Sequence, residues 1–219
     1  MRTPVGEPAV ENWSAISRVS FVAQILDAAG PDTARPRIVA VDGRGAAGKS
    51  SAASWLHEAV PASTVLHTDD LAWCEPFFSW GHLLLAVLEQ LHRGEAVHLR
   101  PPAWEAYGRA GEIFLPTGLE LVVVEGVGAS QREHAELIDA TIWVQSDFAE
   151  AERRGIARDI DAGVNGDPQA TVAFWHEWMS HELPFLERQR PWERAALVLA
   201  GTAVLPLGPG QVAVAPGPL

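Results

Sequence analysis

The sequence contains almost no lysine and almost no cysteine. Lys49 is the only lysine among the 16 lysine and arginine residues of this 219-residue chain, and Cys74 is its only cysteine. A single cysteine excludes a disulfide framework and favours a reducing compartment, so we expect a cytoplasmic protein. The segment from Met1 to Gly6 lacks a basic start followed by an apolar stretch, and we therefore expect no secretory signal peptide.

Long apolar runs and a positive net charge are also missing. Runs such as 83–88 and 121–124 are far too short to cross a bilayer. The formal net charge of −12 offers no basic face for a nucleic-acid backbone. We therefore expect neither a membrane nor a nucleic acid as a partner. A small anionic ligand is still compatible, because Mg²⁺ and a few arginines can make one pocket positive in an acidic protein.

The chain does contain enough apolar material for a substantial core. Apolar residues make up 47% of it, and it has nine tryptophans, which is typical of a globular protein. We predict a single domain over residues 1–219, with a loose N-terminus at 1–12 and a Pro/Gly-rich tail at 205–219. The sequence leaves a homo-oligomer open.

One stretch carries a specific motif. A short apolar run, 38–41, leads into Gly43-Arg44-Gly45-Ala46-Ala47-Gly48-Lys49-Ser50, followed by Ser51. This order of glycine, four residues, then Gly-Lys-Ser fits a phosphate-binding loop between a strand and a helix. The structural alternative is a glycine-rich turn that matches the pattern by accident.

Each residue type in this motif has a physical reason for binding a nucleotide. The glycines allow positive φ angles and a close approach, so that backbone amides converge on a phosphate. The N-terminus of the following helix attracts the same anion. Lys49 would reach the β and γ phosphates of ATP, and the Ser50 hydroxyl would ligate Mg²⁺. The chain uses arginine for every other basic residue, so its one lysine stands where a compact ammonium is needed.

The remaining pattern alternates strands and helices, which predicts a three-layer α/β fold with a five-stranded, mainly parallel sheet. We predict these strands at 38–41, 63–67, 119–124, 140–144 and 196–200, and a separate hairpin from 97–99 and 113–115. We predict helices at 13–29, 50–60, 81–93, 148–160 and 171–188. The aromatic residues of the last helix are interpreted as core rather than as a base-stacking platform.

Carboxylates follow two of the predicted strands. Asp69 and Asp70 come directly after 63–67, and Glu125 ends the apolar run that begins at Leu119. Open α/β sheets bind their ligands at the carboxyl ends of strands, and Glu125 beside glycines suits a ligand of the Mg²⁺ water shell. The alternatives are an acidic helix cap for the pair and a plain strand-end turn for Glu125.

With the phosphate loop, Asp69-Asp70, Trp104-Glu105, Glu125-Gly126 and the Arg154–Asp159 segment in this order, the chain resembles the uridine kinase-like group of P-loop kinases. It is most similar to the actinobacterial proteins labelled uridine kinase or ATP-binding protein, over roughly residues 36 to 203. The resemblance implies a P-loop NTPase fold of the nucleoside-kinase type with a helical lid, here at 150–168.

The resemblance also implies roles for individual residues. Residues 43–51 would bind the ATP phosphates, with Lys49 on the transferred group and Mg²⁺ held by Ser50 and Glu125. Asp69 would be the catalytic base, and Arg154 and Arg158 would close over the phosphates from the lid. The acceptor would be bound by these residues: Asp70, Trp104, Glu105 and Arg109.

The activity that follows is transfer of the ATP γ-phosphate to a hydroxyl of a small molecule, with a nucleoside such as uridine or cytidine as the first expectation. The chain has Ala72 where the family often has tyrosine, and no arginine between Asp161 and Gln169. Other acceptors are therefore open: pantothenate, nicotinamide riboside, a sugar or a secondary metabolite. A non-catalytic ATP-binding switch is the alternative from another class. A GTPase is disfavoured, because there is no Asn-Lys-x-Asp motif.

Overall fold

The computed structural model describes residues 1–31 and 33–219. The strands are β1 Ser14–Ser17, β2 Arg37–Gly43, β3 Ser63–His67, β4 Val97–Leu99, β5 Ile113–Leu115, β6 Leu121–Glu125, β7 Ala140–Gln145, β8 Leu197–Ala200 and β9 Gln211–Pro216. The helices are α1 Arg18–Ala28, α2 Lys49–Ala59, α3 Thr68–Ala72, α4 Gly81–His92, α5 Pro102–Ala106, α6 Phe148–Asp161 and α7 Pro168–Gln189. Short 3-10 helices lie at Arg132–Leu137 and Pro191–Arg194.

The central sheet has the strand order β1-β9-β8-β7-β2-β6-β3. From β8 to β3 all neighbours pair in parallel, whereas β9 pairs antiparallel with both β8 and β1. The five parallel strands are those predicted from the sequence. The prediction of a five-stranded sheet was nevertheless wrong, because the described part of the chain forms a seven-stranded one.

The two additional strands come from segments with weak strand patterns. Residues 14–17 were included in the predicted helix, because Ile16 fits its spacing, but they pair with residues 211–214 of β9. The helix begins only at Arg18, where the Ser17 side chain accepts a hydrogen bond from the Ser20 amide and caps the helix. Strand β9 lies within the predicted Pro/Gly-rich tail.

The parallel strands are buried on both faces, as their continuous apolar runs predict. On β2, Val39 and Val41 pack with α1 and α2 on one face, where Phe21, Ile25 and Leu56 are fully buried. Ile38 and Ala40 face the other side and pack in a second cluster with α4. The three-layer arrangement predicted from the sequence follows from this alternation.

The remaining elements match the sequence pattern closely. Strands β4 and β5 form the predicted antiparallel hairpin apart from the main sheet. Helix α7 is longer than predicted, because it begins at Pro168, where the Asp167 side chain caps it by accepting a hydrogen bond from the Ala170 amide. It continues through Pro184. Within the described residues, no helix combines the length and the apolar character needed to cross a membrane.

The position of β9 inside the sheet predicts that a cavity in this strand destabilises the fold. Val214 is buried, with 5% of its surface exposed, and its strand lies between β1 and β8. We expect Val214→Ala to lower the free energy of unfolding by about 2 kcal/mol, from lost burial and the cavity left behind. Val5→Ala is the control, because Val5 is 93% exposed. Urea unfolding checks this, and equal midpoints for the two variants would contradict the packing of the tail.

Candidate active site

The phosphate-binding motif forms the connection between β2 and α2. Ala46 and Gly48 have φ angles of 55° and 102°, which lie in the left-handed region that favours glycine. A Cβ on Gly43 would lie 2.7 Å from the Val144 carbonyl oxygen on β7. The first glycine is therefore required by close packing against the neighbouring strand. Helix α2 begins at Lys49, directly after Gly48.

Lys49 and Ser50 start this helix and face the same cavity. The Lys49 side chain is 8% exposed, and its Nζ donates a hydrogen bond to the Arg44 carbonyl oxygen at 2.8 Å. The Ser50 hydroxyl lies 3.4 Å from Glu125 Oε1. The loop therefore brings an ammonium, a hydroxyl and a carboxylate to one place, as the sequence predicts.

A buried carboxylate at the end of β2 holds the phosphate loop in place. Asp42, the residue before Gly43, is 1% exposed. Its oxygens accept hydrogen bonds from the amides of Gly43, Gly128 and Ser130 and from the Ser130 hydroxyl, all at 2.8–2.9 Å. Burial raises the pKa of Asp42, and these four donors act against that rise. Asp42 therefore ties the end of β2 to the loop that follows β6.

A cavity of about 600 Å³ opens above the loop. It is bounded by the phosphate loop, the carboxyl ends of β3 and β6, and helices α6 and α7. Its lining residues are Gly45, Ala46, Ala47, Gly48, Lys49, Ser50, His67, Asp69, Glu125, Gly126, Val127, Arg154, Arg158, Asp159, Phe174, Trp175 and Trp178. Of the predicted nucleotide-binding residues, Gly43, Arg44 and Ser51 do not line this cavity.

Asp69 and Glu125, two of the predicted carboxylates, both line the cavity, because β3 and β6 are neighbouring strands. Glu125 also contacts a histidine of β3. His67 pairs with Glu125 in the strand register, and His67 Nδ1 lies 2.7 Å from Glu125 Oε2. This hydrogen bond raises the pKa of His67. Burial acts to raise the pKa of Glu125, but the hydrogen bond from His67 and the charge of Lys49 outweigh it, so that its pKa is lowered. Glu125 is therefore held as an anion.

Asp69 lies in the first turn of the short helix α3, directly after β3. Its side chain is open to the cavity, yet the surrounding protein desolvates the carboxylate and raises its pKa, while the charge of Lys49 acts in the opposite direction. Within the described residues, the Asp69 side chain accepts no hydrogen bond and forms no ion pair. It is therefore a carboxylate without a direct partner, beside the lysine of the phosphate loop.

Helix α6 contributes the two predicted arginines of the lid. Arg154 donates to the carbonyl oxygens of Ala46 and Gly201 at 2.9 and 2.8 Å. Arg158 donates to Asp159 at 2.8 Å, and its side chain is 63% exposed. Arg154 thus braces the phosphate loop against the end of β8, while Arg158 extends towards open solvent.

The predicted acceptor-binding residues do not join this cavity. Asp70 forms an ion pair with Arg109, and its carbonyl oxygen accepts a hydrogen bond from Trp104 Nε1 at 2.9 Å. The Arg109 guanidinium stacks 3.7 Å from the centre of the Trp104 ring, and Glu105 is exposed. These residues join α3 to the hairpin excursion, and the structure places them outside the lining of the cavity.

Two glutamates that sequence reasoning missed hold the phosphate loop from the side. Glu7 of the N-terminal segment accepts a hydrogen bond from Arg44 Nε at 2.8 Å, and it also accepts from Trp143 and Gln145 on β7. Glu182 of α7 is fully buried and accepts from the Gly45 amide at 2.9 Å and from Trp178 at 2.7 Å. No local motif marks either residue, because both reach the loop only through the tertiary fold.

The residues present fit a magnesium ion bound together with a nucleotide. Among the described residues, no group of three or more His, Cys, Asp or Glu side chains could hold a metal ion. Mg²⁺ usually keeps several waters and takes few protein ligands beside substrate phosphates. Ser50 and Glu125, side by side at the phosphate loop, are sufficient for a site of this kind.

The hydrogen bond between Glu182 and the Gly45 amide predicts that loss of Glu182 destabilises the phosphate loop. We expect Glu182→Ala to lower the free energy of unfolding by about 3 kcal/mol, because the Gly45 amide and the buried Arg44 lose a partner. It should also weaken nucleotide binding. Glu177→Ala is the control, since Glu177 is exposed on the same helix. Urea unfolding and titration with Mg-ATP check this, and equal affinities for the two variants would contradict a role of Glu182 in holding the loop.

No protein-family model matches the sequence, and no curated protein matches it. Solved structures do match its fold. D-glycerate 3-kinase from Cryptococcus neoformans gives a TM-score of 0.57 at 12% identity, over 84% of this chain and 94% of that chain. A candidate fructose transport system kinase from Silicibacter sp. TM1040 gives 0.56 at 18% identity, over 82% and 96%. A candidate uridine kinase from Bacillus stearothermophilus gives 0.50 at 18% identity, over 83% and 96%. The chain therefore has the α/β fold of these P-loop kinases, as the sequence predicts.

Proposed function

We propose that the protein is an ATP-dependent phosphotransferase that transfers the γ-phosphate to a hydroxyl group of a small molecule. The observation that carries this proposal is the position of Asp69. Its unpaired carboxylate lines the same cavity as the phosphate loop, Lys49 and Glu125. A nucleotide-binding site alone needs no free carboxylate there, whereas transfer to a hydroxyl needs a group that accepts the proton.

The binding half of the site is formed by the loop amides and Lys49. Residues 45–50 line the cavity beside the N-terminus of α2, where an anion is favoured. Lys49 would contact the transferred phosphate, and Ser50 and Glu125 would hold Mg²⁺. When bound, the ion would neutralise charge on the phosphate oxygens. Arg158 is exposed at the rim of the cavity and paired with Asp159, so it would have to leave that partner to contact the phosphates.

The chemical half of the site is formed by Asp69. Its carboxylate would accept the proton of the acceptor hydroxyl as that oxygen forms a bond to the γ-phosphorus. The bond between the γ-phosphorus and the bridging oxygen breaks, and ADP leaves with that oxygen. Because the transition state is loose, the protein contributes mainly position and charge.

Names of the structural neighbours support this reaction class and differ in the acceptor. One is a D-glycerate kinase, and another is a candidate uridine kinase. The nucleoside acceptor stays a prediction from the sequence. The cytoplasmic location and the absence of a nucleic-acid partner stay predictions.

Asp69→Asn tests the assignment of the base. We expect turnover to fall by at least about 100-fold, because a positioned general base contributes about 10² to 10⁴ in rate. Mg-ATP affinity should stay within about threefold, since the Asp69 side chain forms no hydrogen bond or ion pair with the described residues of the phosphate loop. Glu58→Gln, at an exposed carboxylate on α2, is the control. Assays of ADP release and calorimetry check this, and near-wild-type turnover of Asp69→Asn would show that another group is the base.

The raised pKa of Asp69 predicts a pH dependence. The base must be ionised, and desolvation raises its pKa, so activity should be lost on acidification at a higher pH than for an exposed aspartate, whose pKa is about 3.9. The loss should appear in turnover and not in the folded state, which circular dichroism monitors. A profile that stays flat down to the ordinary aspartate range would contradict this.

A further inference from the structure

Part of the aromatic face of α7 is left open to the cavity. Phe174 and Trp178 are one helical turn apart and both line it, and Phe174 is 38% exposed. Trp175 and Phe185 of the same helix are buried, although Trp175 also lines the cavity. Three of these aromatic residues therefore face the cavity, and the interpretation of the whole stripe as core was too simple.

Neighbouring side chains hold the rings of Phe174 and Trp178 in place. Trp178 Nε1 donates to the buried Glu182 at 2.7 Å. Phe77, from the loop between α3 and α4, has its ring centre 5.5 Å from that of Trp178 and 6.3 Å from that of Phe174. Phe78 packs on Trp178 at 5.1 Å. Rings fixed in this way form a preorganised apolar wall, which a flat ligand can cover at little entropic cost.

Among the described residues that line the cavity, Lys49 is the basic side chain without a carboxylate partner, and the proposed function assigns it to the transferred phosphate. The lining contains three carboxylates, on Asp69, Glu125 and Asp159, and three lysine or arginine side chains. Those basic side chains are Lys49, Arg154 and Arg158. His67 and Arg158 each already contact a carboxylate, at 2.7 and 2.8 Å, and Arg154 donates to backbone carbonyl oxygens.

A bound nucleotide makes the net charge of the cavity negative. The fixed charges of the lining cancel, and His67 adds at most one positive charge, whereas Mg-ATP brings a net negative charge of about −2. A second anion beside it would meet like charge in a partly enclosed site, which is unfavourable. An uncharged molecule avoids this cost, and a cation is attracted both by the charge and by the faces of the aromatic rings.

We propose that the phosphate acceptor is an uncharged or positively charged alcohol with a flat or apolar ring that lies against Phe174 and Trp178, and that carboxylate-bearing acceptors are rejected. This inference rests on the proposed function. It deepens that function by excluding pantothenate and glycerate, which carry a carboxylate, from the acceptors that the fold alone leaves open.

Matched acceptors test the charge requirement. Calorimetry in the presence of Mg²⁺ and a non-hydrolysable ATP analogue measures binding without turnover, and ADP release measures transfer. We compare ring-bearing alcohols (uridine, cytidine, nicotinamide riboside and pyridoxine) with orotidine, which is uridine with an added carboxylate, and with glycerate and pantothenate. Ribose lacks the ring. We expect at least one of the ring-bearing alcohols to bind at least tenfold more tightly than every carboxylate and than ribose.

A substitution in the wall tests the contact. We expect Phe174→Leu to weaken binding of the best ring-bearing acceptor by about three- to tenfold, the range of one aromatic contact. Affinity for the ATP analogue should not change. Phe114→Leu is the matched control, because Phe114 is 52% exposed on β5 and lies outside the cavity lining.

The outcomes separate this inference from the proposed function. Tight binding of a ring-bearing alcohol, weakened by Phe174→Leu, without ADP release from any acceptor supports the acceptor class and overturns the phosphotransferase. Efficient transfer to a carboxylate or to ribose, with ring-bearing alcohols inactive, overturns the acceptor class and leaves the phosphotransferase standing. Absence of binding by every ring-bearing alcohol likewise overturns the acceptor class.

Discussion

The site depends on keeping the backbone amides of one loop pointed at the same volume. Amides without partners do not hold such a bend by themselves, and here two buried carboxylates fix it. Asp42 binds the loop to the segment after β6, and Glu182 binds the Gly45 amide from α7. Both are buried, and their hydrogen bonds are correspondingly strong. Further along the loop, the Ala47 amide donates to the Arg44 carbonyl oxygen, whereas the amides of Ala46 and Gly48 form no hydrogen bond within the described residues and remain available to a ligand.

Carboxylates also neutralise one of the two basic side chains of the loop. Arg44 belongs to the phosphate-binding motif, but Glu7 and Glu182 take up its charge. The ammonium of Lys49 is different, because its one hydrogen bond within the described part of the chain is to a backbone carbonyl oxygen of the loop. The one lysine of the chain is thus the basic group of the loop that no carboxylate binds directly. A compact ammonium fits this position, where a guanidinium would require room for its fork.

The sequence was informative where chemistry is local and less so where it depends on tertiary contacts. The five parallel strands and the phosphate loop are contiguous patterns, and the structure contains them. Strand β1 is four mostly exposed residues and exists because β9 lies beside it. The pairing of Asp70 with Arg109 spans 39 positions, so adjacency to Asp69 suggested a shared role that the fold does not provide. Glu7 and Glu182 were missed for the same reason.

Helix α7 packs against both helix α6 and the phosphate loop. Gly155 on α6 has no side chain, and a Cβ there would lie 2.1 Å from the Trp175 ring, so the two helices pack closely through that indole. The same ring reaches within 3.3 Å of the position that a Cβ of Gly45 would occupy. One turn after Trp175, Trp178 lines the cavity, and one turn after Trp178, Glu182 holds the loop. A ligand that presses on the aromatic wall therefore acts on the same rigid helix that positions the phosphate loop. Packing of this one helix therefore fixes both the aromatic wall of the cavity and the position of the Gly45 amide.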